Sequence, residues 1–372
     1  MTRPMRILEV VTNFLPGGIQ RHVLDLADDL RARGHAVTLA GDAGDWSETT
    51  DVVNVPLNGV SWRGGSAVAR VAALWPCVRD LRRAIRLGRI ELVHAHETAP
   101  AIVARLATLG LDVPVVLTFH GSAPEREASV ARTARLCADL TLSPSRDGIE
   151  RLVAHGLPRT RAQATGLGIA PMPAVDPAEA AALRAALLDG REGPLILSLS
   201  RIDRQKGIDV MVDVAARVTA RAPGATFVVA GKGPMEHKVA GWAEAAGVTD
   251  AMRFVGPTDQ VPLYLAAADL FLLTSRWENL PISIVEAFRA GLPVVATDCG
   301  GVRELVDDSV GALVPVEDPA TSAAALLRLI DDSEARARAG ANALARSTED
   351  RFTPAAVHAR FETLYAELLA RR

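Results

Sequence analysis

The run Ser275-Arg-Trp-Glu-Asn-Leu-Pro-Ile-Ser-Ile-Val-Glu286 sets two carboxylates, Glu278 and Glu286, eight positions apart. Pro281 suits the first turn of a helix, where its missing N–H goes unused, and Gly291 suits the residue just past a helix end. Glu278 therefore falls before the helix and Glu286 within it. First-turn amides and the helix dipole form a seat for phosphate, which makes Asn279, Leu280, Pro281 and Ile282 candidate donor-binding residues. A carboxylate beside such a seat can accept hydrogen bonds from sugar or ribose hydroxyls. The combination points to a nucleotide-sugar site; the same two acids without their context would read as a solvated surface pair.

Cations suited to a diphosphate stand in Arg201-Ile-Asp-Arg-Gln-Lys206-Gly207, directly after an apolar strand. A loop there can aim Arg201 and Lys206 at phosphates and counter the charge that develops as a sugar departs. Lys206, Lys232 and Lys238 are the only lysines among 41 basic residues. In so arginine-rich a chain, a retained lysine suits a site that needs a compact ammonium rather than a wider guanidinium. Asp203 and Arg204 read as loop-forming. Gly231, in Ala230-Gly-Lys-Gly-Pro, permits close backbone approach to a ligand and equally serves an ordinary strand-to-helix turn.

Gly17 and Gly18, after Pro16, close the first strand, where bare amides could reach a diphosphate or an acceptor; the run is no Gly-x-Gly-x-x-Gly fingerprint. His120 follows an apolar strand, at the edge where such sheets place site residues. His94 and His96 alternate on a strand end and so share a face, which could suggest a metal. With no third ligand at useful spacing, polarity of a ligand cleft is the reading, and no metal site is expected.

These residues need scaffolding, and the sequence supplies it twice. Strand-like runs at residues 7–11, 36–40, 52–57, 92–94, 115–119 and 140–142 alternate with amphipathic helices. The alternation restarts at 195–199, 226–230, 253–255, 270–273, 294–297 and 312–314. This is an α/β chain of two doubly wound, Rossmann-like domains, each binding ligand at the carboxyl ends of its strands and facing the other across a cleft. The Pro-rich stretch Ala170-Pro-Met-Pro-Ala-Val-Asp-Pro marks the boundary. The expected division is residues 1–168 on the acceptor side, 169–352 for the nucleotide sugar, and 353–372 as a terminal helix.

At 372 residues, the chain is long enough for two cores, and its net charge of −3 argues against a nucleic-acid partner. No apolar run reaches membrane-spanning length, and Cys77, Cys137 and Cys299 are scattered. Both point to a cytoplasmic protein without structural zinc. Arg79, Arg82, Arg83 and Arg86 recur at helical spacing beside Val71, Leu74, Val78, Leu81 and Ile85. Such a helix could rest on anionic lipid at the inner face of a membrane, as weak peripheral contact, or simply present a solvated face.

The segment from Ser275 through Gly291-Leu-Pro-Val-Val-Ala-Thr to Gly300-Gly301 resembles the signature of the retaining glycosyltransferases of family 4 (glycosyl transferases group 1), enzymes of GT-B fold whose motif is Glu, seven residues, Glu. The resemblance is strongest over residues 195–306. It implies transfer of a sugar from a UDP- or GDP-linked donor to an acceptor hydroxyl, of a sugar, a lipid-linked compound or a small molecule, with no cofactor. It further implies that Arg201 and Lys206 contact the donor phosphates, that Gly231 and Val255 lie around the nucleobase, that Glu286 binds ribose and that Glu278 lies near the transferred sugar. Gly17-Gly18 with Arg21-His22 resembles the family's paired-glycine loop, and Thr118-Phe-His-Gly its active-site histidine, His120. The terminal helix would cross back onto the first domain. One departure is Thr165-Gly-Leu-Gly-Ile169, where family members often carry an Asn-Gly hinge. Two alternatives remain, a nucleotide-sugar 2-epimerase of the same fold and a non-catalytic nucleotide-sugar binder. For the acceptor side, Trp46, Trp62, Trp75 and a loop at residues 61–65 are candidates.

Overall fold

The computed structural model describes residues 3–15, 17–46, 53–57, 59–60 and 67–372. Pro16, Val52, the side chain of Val71 and the 61–65 loop with Trp62 lie outside the described residues. The chain forms two compact units, Met1–Ile169 with Asp350–Arg372, and Ala170–Glu349. The change of unit at Ala170 coincides with the start of the Pro-rich stretch, where rings fix φ and remove donors from any ladder.

In the first unit the order is β1 (Arg6–Asn13), α1 (Gly18–Ala32), β2 (Ala36–Asp42), β3 (Val53–Pro56), α2 (Ala67–Leu87), β4 (Leu92–His96), α3 (Thr98–Thr108), β5 (Val115–Thr118), α4 (Glu127–Cys137), β6 (Leu140–Ser143), α5 (Arg146–Ala154) and β7 (Ala162–Ala164). All pairings are parallel, in the order β3-β2-β1-β4-β5-β6-β7. β7, three residues with one apolar side chain fully buried, carries too short a pattern to have been read from sequence.

Strand alternation splits the core. Leu8, Val10, Val93, Ala95 and Leu117 face the cluster that holds the apolar sides of α2 and α3. Ile7, Val11, Leu92, Val116 and Leu142 face the other, which takes in Val23 and Leu26 of α1 and Phe361, Leu364 and Tyr365. The last three belong to a helix at Pro354–Ala370, which is α13 in chain order. It packs beside α1 in the first unit.

The second unit runs α6 (Pro177–Leu188), β8 (Leu195–Leu199), α7 (Ile208–Thr219), β9 (Thr226–Ala230), α8 (Val239–Ala245), β10 (Met252–Gly256), α9 (Val261–Ala267), β11 (Leu270–Leu273), α10 (Ile282–Arg289), β12 (Val294–Thr297), β13 (Gly311–Val314), α11 (Pro319–Asp331) and α12 (Ser333–Arg346). Its parallel sheet has the order β10-β9-β8-β11-β12-β13. β8, β9, β11 and β12 are almost wholly buried, as strands covered on both faces must be. Asp176 and Asp318 start α6 and α11 by accepting from Ala178 and Thr321 amides, each ahead of a proline in the first turn.

Gly166 and Gly168, in the segment that departs from the family's Asn-Gly hinge, have a local structural reason. Gly166 sits at φ 82°, and a Cβ there would meet the Arg351 carbonyl oxygen at 2.5 Å. The amides of Leu167 and Ile169 donate to the carbonyls of Arg351 and Phe352. Close apposition of the outgoing and returning chain, rather than flexibility, is what these glycines permit.

Candidate active site

Reversal of strand order about β8 places its two neighbours, β9 and β11, on opposite connections, and loops diverge there at the carboxyl edge. The loop after β8 carries Arg201 and Lys206; the loop after β11 carries Glu278 and leads into α10. The structure joins them: Lys206 Nζ lies 2.5 Å from Glu278 Oε1. Ser275 Oγ donates to the same oxygen at 2.7 Å, while Gln205 Nε2 reaches Oε2 at 3.5 Å and the Trp277 carbonyl at 3.0 Å. Both side chains are largely withdrawn from solvent, Lys206 14% and Glu278 7% exposed. Held in this way, the ammonium is oriented before any ligand arrives.

Arg201 is different. It is exposed, and its Nη2 meets Asp203 Oδ2 at 3.0 Å and Gln205 Oε1 at 3.1 Å. Asp203 also accepts from the Lys206 amide, a loop-forming role. Arg204 lies over the Trp277 ring.

Arg276, which sequence reasoning passed over, ties the two loops together. It forms a two-pronged pair with Asp209 at 3.0 and 2.8 Å, bonds Glu317 at 2.7 Å, and donates from Nη1 to the Arg204 carbonyl. Its hydrogen bonds to Asp209 hold the guanidinium pKa well above its usual range, and those to Glu317 add to this. The signal available was position: an arginine inside the motif, two residues before Glu278, whose partner Asp209 is distant in sequence.

α10 begins at Ile282, one residue later than the sequence suggested, because Pro281 takes the N-cap position with extended backbone. Pro281 has no side-chain acceptor with which to cap this end, which leaves its first-turn amides to other acceptors. Gly291 follows the helix at φ 69°, as expected of a C′ glycine. Asn279 is buried, and its carbonyl accepts from the Gly301 amide. Glu286 is half-buried on α10; burial pushes its carboxyl pKa up, with Arg289 opposing the shift.

Gly231 follows β9 at φ 149° and donates its amide to the Gly256 carbonyl at 2.8 Å, which brings it to the end of β10, where Gly256 follows Val255. A Cβ at Gly231 would stand 2.1 Å from the Ser200 carbonyl oxygen. Close approach of this turn to the loop of Arg201 therefore requires glycine.

In the first unit, Gly17 is the N-cap of α1, Gly18 its first residue, and no side chain caps that end either. His120 lies two residues beyond the end of β5, half-buried, and its Nε2 is 3.0 Å from Nδ1 of His96. The expectation that His94 and His96 lack a third partner is corrected: Glu9 of β1, register partner of His94, brings its carboxylate within 2.9 Å of His94 and 2.8 Å of His96. A lone Glu in an apolar strand 85 residues away offered no spacing pattern to reveal this. Glu97, also unforeseen, holds φ 82° at the start of α3 and accepts from Thr12 Oγ1 at 2.5 Å, a strained backbone at the sheet's own switch between β1 and β4.

Residues 181–346 match the family model described as Glycosyl transferases group 1, and residues 16–170 match Glycosyltransferase Family 4. A phosphatidyl-myo-inositol mannosyltransferase of Mycolicibacterium smegmatis is 31% identical over 339 residues, covering 87% of this chain and 83% of the relative. The chain belongs to the family 4 glycosyltransferases. An alpha-D-kanosaminyltransferase of Streptomyces kanamyceticus is 29% identical over 301 residues, 74% of this chain and 77% of its own. The crystal structure of Anabaena HepE in complex with UDP-glucose superposes with a TM-score of 0.83 at 21% identity, over 97% of this chain and 99% of that one. Two parallel sheets with this likeness make the fold GT-B. In this glycosyltransferase, then, the sequence-predicted Lys206 and Glu278 touch, Gly231 reaches the strand end that holds Val255, and Arg201 stands on the same loop as Lys206.

The geometry of the pair makes Lys206→Arg informative in a chain that otherwise prefers arginine. A planar guanidinium would have to displace either Glu278 or Ser275. We expect the variant to keep the wild-type melting temperature yet lose about a hundredfold in turnover, the scale set by misplacement near reacting atoms. Lys238→Arg, on an exposed turn, should be silent. Wild-type turnover in Lys206→Arg at saturating substrates would remove the need for an ammonium.

Proposed function

We propose that this glycosyltransferase moves a hexosyl group from a UDP- or GDP-linked sugar to an acceptor hydroxyl with retained anomeric configuration, without a metal or other cofactor. The observation that carries the reading is the Lys206–Glu278 pair beside the uncapped start of α10 at the β8–β11 switch point. The likeness to a HepE structure holding UDP-glucose supports a nucleotide-sugar donor.

In this reading, Lys206, Arg201 and the amides of Leu280 and Ile282 take the diphosphate, and Pro281 contributes shape but no N–H. Negative charge grows on the leaving oxygen as the glycosidic bond breaks, and fixed donors stabilise that charge without reorganising. A diphosphate arriving at Lys206 relaxes the ammonium's hold on Glu278, whose carboxylate then accepts from hydroxyls of the transferred sugar. Glu286 takes the ribose: hydroxyl donors compensate a carboxylate that burial otherwise disfavours. Gly231 and Val255 offer backbone to the base. His120 contacts the sugar, and the amides of Gly17 and Gly18 serve the diphosphate or the acceptor. The acceptor hydroxyl attacks the face from which the diphosphate leaves, so no side-chain nucleophile is required.

A lipid-linked acceptor is favoured by one surface. Trp75 and Leu87 of α2, with Leu106 and Leu109 at the end of α3, are exposed and line a groove of about 610 Å³ with Arg79, Arg83 and Arg86. Leu74, Leu81 and Ile85 turn into or against the core, and Val78 belongs to the core while also bordering the groove. Arg82 lines the same groove, and its guanidinium donates to the carbonyls of Ala107 and Leu109, pinning α2 to the end of α3. Aromatic and leucine side chains among arginines suit the headgroup boundary of an anionic membrane. The mannosyltransferase relatives are named for a lipid, phosphatidyl-myo-inositol. No described helix is long and apolar enough to cross a membrane, so the contact would be peripheral.

Three measurements test these readings. Thermal shift across a nucleotide-sugar panel should single out a UDP or GDP donor, and turnover with that donor should survive EDTA. Loss in chelator with rescue by magnesium or manganese would contradict the metal-free reading, and donor consumed without any acceptor would favour the epimerase. In flotation assays the protein should rise with anionic vesicles at low salt, and Trp75→Ala with Leu87→Ala should abolish this; no flotation of the wild type would remove the membrane contact.

A further inference from the structure

Five of the eight histidines, His22, His94, His96, His120 and His358, gather in the first unit on the sheet face covered by α1 and α13. Strand alternation explains part of this: Glu9 on β1, His94 and His96 on β4 and Thr118 on β5 follow the apolar residues Ile7, Leu92 and Val116 at period two, and His120 continues the row past the end of β5. Glu9, His94 and His96 are 0% exposed. Burying a carboxylate in a sheet core is tolerated only if donors surround it.

The donors can be assigned. Burial alone would raise the Glu9 carboxyl, yet its interactions with His94 and His96, hydrogen bonds among them, bring its pKa down to about 2, so it is ionised at neutral pH. An ionised carboxylate only accepts, and His96 Nε2, at 2.8 Å, must therefore carry a proton. Burial, with His94 adding to it, lowers His96 to about 4, so at neutral pH the ring holds that one proton and its Nδ1 is bare. His120 Nε2 faces this bare nitrogen at 3.0 Å, and must be the donor. Burial and the nearby His96, His22 and His94 push the pKa of His120 well down, which keeps the ring neutral. One proton on Nε2 leaves Nδ1 as its acceptor.

We propose that Glu9 and His96 are positioning residues that fix His120 in the Nε2–H tautomer, presenting Nδ1 as an acceptor for a hydroxyl of the sugar or acceptor. The second half of this statement rests on the reading of His120 as a sugar contact; the first half does not. Tyr365 and Thr118 complete the arrangement from outside the relay: Tyr365 Oη lies 2.6 Å from His94 Nδ1 and 3.4 Å from Glu9 Oε1, and Thr118 Oγ1 lies 2.7 Å from His94 Nε2. His94 is thereby held against Glu9, leaving His96 to pass the orientation on. The donor types of Glu9, His94 and His96 would also suit a first-row metal ion, but an ion there would displace the hydrogen on His96 Nε2 and with it the reason for the tautomer.

The test is nitrogen-15 NMR of the histidine-labelled full chain at neutral pH, with His120 assigned through His120→Gln. Long-range correlations should show His120 with protonated Nε2 and bare Nδ1, and Glu9→Gln should mix the two tautomers. Glu9→Gln should also lower kcat by about tenfold or more with KM little changed, the scale on which partners that orient a histidine act. A wild-type His120 protonated on Nδ1 would overturn the relay, and so would an unchanged tautomer in Glu9→Gln. Should Glu9→Gln fail to fold, the wild-type spectrum alone still decides. Stoichiometric zinc binding that shifts the His94 and His96 signals would replace the relay with a metal site. Full activity in His120→Gln with the tautomer as stated would instead sink the sugar-contact reading, and with it the functional half of the proposal.

Discussion

An ammonium and a carboxylate 2.5 Å apart, both mostly out of water, hold the second unit's site in shape. Removing two such ions from solvent costs several kcal/mol, and close pairing alone repays it incompletely. The surroundings supply the balance: Ser275 donates to Glu278, Gln205 bridges to the same acid and to the Trp277 carbonyl, and Arg276 clamps the loops on which both partners stand. Loss of either partner would strand a buried charge, so Lys206 and Glu278 have to be considered as one unit. That constraint also explains the ligand logic. In the proposed reaction a diphosphate would bring negative charge to take over the ammonium, and a sugar would bring hydroxyls to take over the carboxylate.

The first unit solves a related problem in a different way. Among the described residues, the partners of its buried carboxylate, Glu9, are imidazoles and a tyrosine rather than a lysine or arginine. Imidazoles can donate without carrying a full charge, so the sheet core accommodates them at lower desolvation cost. The result is directional, because each ring that donates with one nitrogen must accept with the other. Geometry that begins with a strand register, Glu9 opposite His94, ends by specifying a proton position on His120 at the edge of the sheet.

Short continuous apolar runs between amphipathic helices made nearly every strand legible, and the glutamate motif with its preceding basic loop made the donor side legible, since both signals are local. Three features escaped because their causes are not local. Arg276 matters through Asp209 and Glu317, 67 and 41 residues away. Glu9 looked like a polar interruption of a strand until its neighbours on β4 were known. Gly166 and Gly168 read as a hinge, whereas a returning segment nearly two hundred residues later packs against them. Arg82 does stand with Arg79, Arg83 and Arg86 as helical spacing implied, but its partners, carbonyls at the end of a neighbouring helix, are again distant in sequence.

The central proposal is that fixed cations and amides draw off the diphosphate while the acceptor hydroxyl enters on the same face. Proton NMR of the product during the first turnovers, using the nucleotide sugar that stabilises the protein most, reads this directly from the anomeric coupling. The account predicts that the new glycosidic bond keeps the anomeric configuration of the donor from the earliest time points. A product of opposite configuration would contradict it.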